Sequence, residues 1–466
     1  MALISRRGRR VRLRASSSVS ALQPSTGSSE PSTRGSSSAP WGRLRSRLGR
    51  LRQLGTTNWW MAVLLVVMVG KAGEWVPLVK GLPVLKIAFV VTAIYLSSVS
   101  GALAPVRVQS IPLARFAIAF LTLSIVSIVF SIYRTQTLLA SYLSVIYLIS
   151  FVLLLKTTRT RKDVERLLIG LAVAGSSLSI AVVILHHGGR AHIDSAFDAN
   201  DLAYSLVTLL PIALVLCGSR WGLRRFLVTG LVLLMCGAVL MTASRGGALG
   251  LLVVLLAVSA FPLELGKNGE LKGFQPARLL VRLGFVAVLG VLFFAFLPET
   301  SQERLLTLIH PEEDYNTSTA ADGSRLVIWT RDVGLALQRP IGYGMATAAT
   351  ANMIYAHSPH YRTAHNSVVQ AFLELGALGL YLYLACYYVA WRDLGRISAA
   401  HPRDGPDHEG AKAALYARAL RVALLGNFAA GFFLSQAYSA SLWMILGVCC
   451  AFSQIETSAN PAGRRK

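Results

Sequence analysis

The chain has 466 residues, 54% of them apolar and only 15% charged, with a mean hydropathy of +0.53. Soluble domains run nearer a quarter charged, so this composition excludes an ordinary cytosolic globular enzyme. Lys and Arg outnumber Asp and Glu by 46 to 22, but the basic residues fall between long apolar runs, a pattern of membrane topology with no nucleic-acid partner expected.

Residues 1–57 are rich in Ser, Gly, Pro and Arg, with twelve arginines against the single acid Glu30. That composition predicts a largely disordered cytoplasmic tail. The run Ser5-Arg6-Arg7-Gly8-Arg9-Arg10 has the look of a twin-arginine export signal, but the apolar stretch such a signal needs does not follow it. Trp41, Leu44, Leu48 and Leu51 recur at helical spacing among five arginines, which suits either a short basic helix on anionic lipid or a solvated tail.

Twelve apolar segments then follow, near 58–79, 82–103, 111–132, 137–155, 167–186, 201–217, 224–243, 246–263, 279–297, 366–390, 416–435 and 438–455. A helix needs about 20 residues to cross a bilayer core. Backbone in lipid must satisfy its own hydrogen bonds, so the expected fold is an all-α integral membrane protein with about twelve transmembrane helices. With the N-terminus inside, alternate connections and both termini carry 35 of the 46 basic residues, as the positive-inside rule requires. The organisation read from this pattern is a tail over 1–57, nine spans over 58–297, a periplasmic segment over 298–365, three spans over 366–455 and a cytoplasmic C-terminus over 456–466. The periplasmic segment has 68 residues, and loops so long are uncommon unless functional. Inside it, Asp322-Gly323-Ser324 offers an N-cap for a helix running to about Gln338, with Pro340 marking its end. Leu326, Trp329, Val333 and Leu337 form one apolar face, fit to lie on the membrane or against the bundle. The five cysteines all lie in apolar runs, so neither a disulfide framework nor a zinc spacing is expected.

This topology gathers unusual residues on the outer side. Arg245 follows a break at the end of the seventh span and precedes Gly246 and Gly247, which permit close backbone approach; it either binds an anion or snorkels to head groups. Arg325 opens the external helix, where free N–H groups favour an anion, unless it is simply solvated. His365 and Asn366 stand before the tenth span, and Glu374 lies inside it, where an acid is a functional or pairing site by default. Asp194, Asp198, Asn200 and Asp201 sit where the sixth span begins, and their spacing leaves open a role as oxygen ligands to a cation. His357, His360 and His365 fit no common zinc pattern, and Asn316-Thr317-Ser318 matches the glycosylation triplet.

The ordered set Phe197-Asp198-Ala199-Asn200-Asp201-Leu202-Ala203, Thr242-Ala243-Ser244-Arg245-Gly246-Gly247-Ala248, Arg325-Leu326-Val327-Ile328-Trp329, Arg339-Pro340-Ile341-Gly342-Tyr343-Gly344, Ala364-His365-Asn366-Ser367 and Glu374-Leu375-Gly376-Ala377-Leu378-Gly379 resembles the motifs of the bacterial O-antigen ligase and polymerase family. The resemblance spans residues 197 to 380, while the basic tail departs from the family's short N-terminus. It implies transfer of a glycan from an undecaprenyl-pyrophosphate carrier to an acceptor at the periplasmic face of the inner membrane, without cofactor or metal. Carried onto this chain, it makes Arg245 and Arg325 the clamp on the donor pyrophosphate and His365 the group that positions or deprotonates the acceptor hydroxyl, with Asp198, Asn200, Trp329, Asn366 and Glu374 as substrate contacts. The expected acceptor is lipid A-core. A repeat unit, as in a polymerase, or a protein hydroxyl, as in an O-oligosaccharyltransferase, are the alternatives within the family. A flippase or secondary transporter is the alternative of another class, although the large loop and the lack of an internal repeat do not suit the two-halves transporter plan.

Overall fold

The computed structural model describes residues 58–459 apart from 77, 100, 102, 107, 186–188, 194–196, 218–222, 262, 264, 266–274, 308–323 and 401–407. The N-terminal tail, Asp194 and the glycosylation triplet lie outside the described residues.

Every apolar segment found in the sequence contains a helix. In chain order these are α1 (Asn58–Gly70), α2 (Ala72–Trp75), α3 (Val84–Ser98), α4 (Pro112–Val126), α5 (Arg134–Thr157), α6 (Arg161–Leu185), α7 (Ala199–Cys217), α8 (Leu223–Met241), α9 (Arg245–Ala260), α10 (Pro276–Ala295), α11 (Glu299–Leu306), α12 (Arg325–Gln338), α13 (Ala348–Tyr355), α14 (Ser367–Ala400), α15 (His408–Gly431) and α16 (Ala440–Ala459). Among the described residues there is no β-strand, only an isolated bridge between Ile193 and Phe197. Six helices are long and apolar enough to cross a membrane, namely α5, α6, α14 and α16, α4 extended to Val129, and α7 as far as Leu216. Five further apolar helices are shorter, at α1, α3, α9 and within α8 and α10. The protein is therefore a helical membrane protein.

Burial sorts the helices. α7 lies at the centre, packed on α6, α8, α9 and α15, while α14 packs on α4, α12 and α15, and α16 on α5 and α14. α16 is buried on nearly every side, including Trp443, Met444, Phe452 and both Cys449 and Cys450. By contrast α10 turns Leu280, Val281, Phe285, Val288 and Val291 outward, each more than half exposed. A helix surface this apolar matches hydrocarbon and not water.

Ends of the helices meet in two groups. At one end Arg161 makes a bidentate pair with Glu456 (2.6 and 2.8 Å), and the Ala104 N–H donates to the Lys156 carbonyl (2.9 Å). At the other end the starts of α7, α9, α12 and α14 gather with the turn joining α15 to α16. This is the alternation that a chain crossing back and forth produces.

The stretch between α10 and α14 folds back on that second end. The Tyr343 and Gly344 N–H groups donate to Leu373 and Glu374 carbonyls, and Ala377 N–H donates to Pro340 O. These bonds are possible because α14 breaks at Gly376, which adopts φ 70° and ψ −166°. A Cβ there would lie 2.0 Å from Pro340 O and 2.6 Å from the Ile341 carbonyl carbon. Gly376→Ala is expected to cause severe destabilisation, from a backbone clash plus a left-handed φ, read as loss of folded protein in detergent.

α12 decides between the two placements that the sequence left open for its apolar face. Its start, cap and end match the expected Ser324 to Gln338 span, and Ser324 Oγ accepts from Val327 N–H (3.3 Å). Its inward face, however, is Ile328, Asp332, Leu335 and Ala336, whereas Leu326, Val333 and Leu337 are exposed. Of the apolar stripe only Trp329 packs on the bundle, while Asp332 finds a buried amide partner in Asn352 and the mixed face turns inward.

Candidate functional site

The site is built where four helices begin. Helix N-termini carry unsatisfied N–H groups and the positive end of the dipole, so they favour anions. Asp198 caps α7, its Oδ1 accepting the N–H groups of Asn200 (2.6 Å) and Asp201 (2.8 Å). Ser244 caps α9, with Oγ accepting from Gly247 N–H (3.2 Å), and Ser324 caps α12. Asn366 caps α14, its Oδ1 accepting from Val368 (2.9 Å) and Val369 (3.1 Å) N–H groups.

Arg245 is the first residue of α9, and its Nη1 donates to Thr307 Oγ1 at the end of α11 (2.9 Å). The glycine after it is there for contact. A Cβ on Gly246 would sit 2.8 Å from Phe433 Cβ. Phe433 in turn faces the Trp329 ring at 6.4 Å, and Phe432 meets the same ring edge-on at 5.5 Å. These rings therefore form an aromatic wedge that links the first turn of α9 to Trp329 of α12. Gly246→Val is expected to push this wedge apart and cost at least tenfold in transfer with the protein still folded, checked by turnover and by retained monodispersity.

His365 enters from the third side. Its backbone is left-handed (φ 50°), its N–H donates to Ser435 Oγ in the α15–α16 turn (2.8 Å), and the preceding Ala364 carbonyl accepts from Trp329 Nε1 (2.8 Å). Burial, then the nearby Arg325 guanidinium, pushes the imidazole down to about 4, with Asp198 opposing and Arg362 adding to the fall. The ring is therefore neutral at physiological pH.

Two cations that the sequence reading passed over join the cluster. Arg190 is held by two bonds, Nε to the Thr242 carbonyl (3.0 Å) and Nη2 to Asn200 Oδ1 (3.1 Å). Its pKa is lowered by burial and by Arg304 and Arg245, against the opposing Asp198. Arg304 comes from α11. The local balance is thus cationic: Arg245 and Arg304 act on Arg190, Arg325 and Arg362 act on His365, and Asp198 acts on both. Lys71, in a left-handed break between α1 and α2, adds an ammonium 4.3 Å above the Phe197 ring. No periodicity or motif pointed to Arg190 or Arg304; only their convergence marks them.

The remaining sequence candidates divide. Asp198, Asn200 and Trp329 stand at the cluster, and Asn200 Oδ1 also accepts from Ser244 Oγ (2.9 Å), tying α7 to α9. Asn366 is buried and its Oδ1 is occupied by capping. Glu374 is buried beneath the site, where its two carboxylate oxygens accept the N–H groups of Ala346 (2.9 Å) and Ala348 (3.2 Å). Both hold backbone N–H groups. Asp201 is bonded to the Gln436 amide. Among the described residues no three His, Cys, Asp or Glu side chains come together as metal ligands.

Residues 230–384 match the family profile described as O-antigen ligase. The chain carries an O-antigen ligase family domain. No curated protein gives a significant match to the chain. Arg245, Arg325 and His365 all fall within the ligase-family domain, whereas Asp198, Asn200 and Arg190 come from α7 and the segment before it and complete the same cluster. This match, together with the long apolar helices, supports a glycan-transferring enzyme in a lipid environment.

Proposed function

We propose that the protein is an O-antigen ligase-type glycosyltransferase that moves a glycan from undecaprenyl-pyrophosphate to an acceptor hydroxyl, lipid A-core, at the periplasmic face of the inner membrane. The observation that carries this reading is a cationic cluster around a neutral imidazole at capped helix N-termini within a ligase-family domain. A diphosphate leaving group develops negative charge as its bond to the anomeric carbon breaks. Fixed guanidinium groups and helix N-termini stabilise that charge with little reorganisation.

In this mechanism Arg245 and Arg325 grip the donor diphosphate, with Arg190 and Arg304 widening the cradle. Asp198, Asn200 and Trp329 line it. The acceptor oxygen attacks the anomeric carbon, the carbon–oxygen bond to the diphosphate breaks, and the hydroxyl proton passes to the His365 imidazole. Undecaprenyl-pyrophosphate leaves as the anion. The bound diphosphate offsets the field of Arg325, which raises the basicity of His365 when the donor is in place.

Both termini lie in the cytoplasm on this reading, and the basic helix ends opposite the site face inward. Turnover needs no metal, so EDTA leaves it unchanged; loss of turnover restored by Mg²⁺ would redirect the mechanism to Asp198 and Asp201. Glycan profiling of a deletion strain tests the reaction class. Long chains left on the carrier support a ligase, whereas lipid bearing single repeats makes the protein a polymerase.

A further inference from the structure

Deep under α12, two polar side chains face each other among apolar neighbours. Asp332 is fully buried and Asn352 of α13 is 3% exposed. Asn352 Nδ2 donates to Asp332 Oδ1 (2.5 Å) and to the Ala348 carbonyl (3.0 Å). The other half of each group, Asp332 Oδ2 and Asn352 Oδ1, is buried without a hydrogen-bond partner. As an ionised carboxylate facing an amide oxygen, this arrangement leaves two buried acceptors and no donor, which is costly. One proton on Oδ2 resolves both, since the acid then donates to Asn352 Oδ1 while accepting from Nδ2.

We propose that Asp332 is a protonated acid paired reciprocally with Asn352, and that this neutral acid–amide lock is a positioning device that holds α12, and with it Arg325, against α13. Leu335, Ala336, Ala348, Ala351 and Leu373 form the small apolar core beside it. Burial pushes the Asp332 carboxyl up to about 7, with the Asn352 bond and Arg331 opposing.

The other titratable groups on the surrounding elements are already engaged. Tyr355 of α13 packs on Tyr343 (5.2 Å), whose hydroxyl donates to the Leu335 carbonyl (3.3 Å). The Arg339 guanidinium lies 5.2 Å over the Tyr343 ring, and Glu374 of α14 takes two backbone N–H groups. Arg331 on the same helix is the one cation whose charge reaches Asp332.

The effect on turnover rests on Arg325 serving the donor as proposed above, but the lock itself does not. A carboxyl whose folded pKa is raised contributes stability that is complete below its ordinary value of 3.8 and declines as pH rises to about 7, where the proton is lost and the lock opens. Asp332→Asn keeps both hydrogen bonds without a titrating proton. The experiment compares the full-length protein with D332N, D332A and the exchanged pair D332N/N352D by infrared difference spectroscopy, thermal unfolding and transfer activity. A carboxylic-acid C=O band present in the wild type at neutral pH and absent in D332N is the expected result. D332N should keep wild-type turnover at pH 6 and a Tm that no longer falls between about pH 4 and 7. D332A should lose both Tm and at least tenfold in turnover, and the exchanged pair should restore them. Absence of the acid band, or a Tm drop in D332N at pH 6 as large as that in D332A, overturns the proposal. If Arg325→Ala leaves turnover intact, the donor-clamp reading fails, and the band and the Tm still decide the lock.

Discussion

Alanine in place of Arg245 or Arg325 lowers glycan transfer by about 10²–10³, the usual cost of deleting one donor to developing charge. The two sites should not behave alike on conservative replacement. Arg245 already bonds Thr307 with one arm of its guanidinium, so Lys at 245 loses both that tether and bidentate geometry. Arg325 stands in the first turn of a capped helix, where the N–H groups continue to attract the diphosphate and a lysine recovers part of the rate. The measurement that separates transfer from transport is the side on which carrier-linked glycan accumulates. The transferase reading requires the outer leaflet, and accumulation on the inner leaflet would make the protein a flippase. Labelling of single cysteines at 325 or 365 from the cell interior would sink the arrangement altogether. Alanine at Arg190 or Arg304 should raise the donor KM more than it lowers kcat, since these cations reach the cluster from its rim.

Removal of the His365 imidazole should cost about 10²–10⁴ in turnover if it takes the acceptor proton. The pH profile carries the finer test. Burial and Arg325 hold the folded ring at about 4, against an ordinary value of 6.5. The acid limb of kcat/KM, which reports the free enzyme, should therefore lie near 4, and the limb of kcat, which reports the donor complex, should lie higher. Arg325→Ala should move the first limb upward toward 6.5. An acid limb unmoved by that substitution would mean that His365 and Arg325 do not share a site. Stability follows the same sign. Because the folded ring resists protonation, its contribution is complete above about 6.5 and declines as pH falls toward 4.

Much of the architecture was legible without coordinates, because burial in lipid imposes a one-dimensional rule. A segment must be apolar along its whole length and must be helical, and each of the twelve apolar segments contains a helix. Six of them meet the length of a span within the described residues, and α9 and the apolar parts of α8 and α10 are shorter. One local cap was equally legible, since Ser324 starts α12 as its hydroxyl dictates, whereas the capping of α7 by Asp198 and of α14 by Asn366 came only with the structure. The periodicity of α12 left its placement open, since apolar residues at helical spacing do not say which face is inward. In a membrane protein an apolar stripe is as stable facing outward as facing the bundle.

The sequence by itself determined that this is a helical membrane protein with the ordered motifs of the O-antigen ligase family, and it named Arg245, Arg325 and His365. The tertiary structure decided what those residues meet. Arg190 and Arg304 belong with them only because the start of α7 and the ends of α8 and α11 come together, and Asn366 and Glu374 prove to be bonded inward, to backbone amides. Local hydrogen-bonding and hydropathy are properties of a few neighbouring residues and can be read along the chain. Charge clustering depends on distances between residues more than a hundred positions apart, and only the packed helices set those.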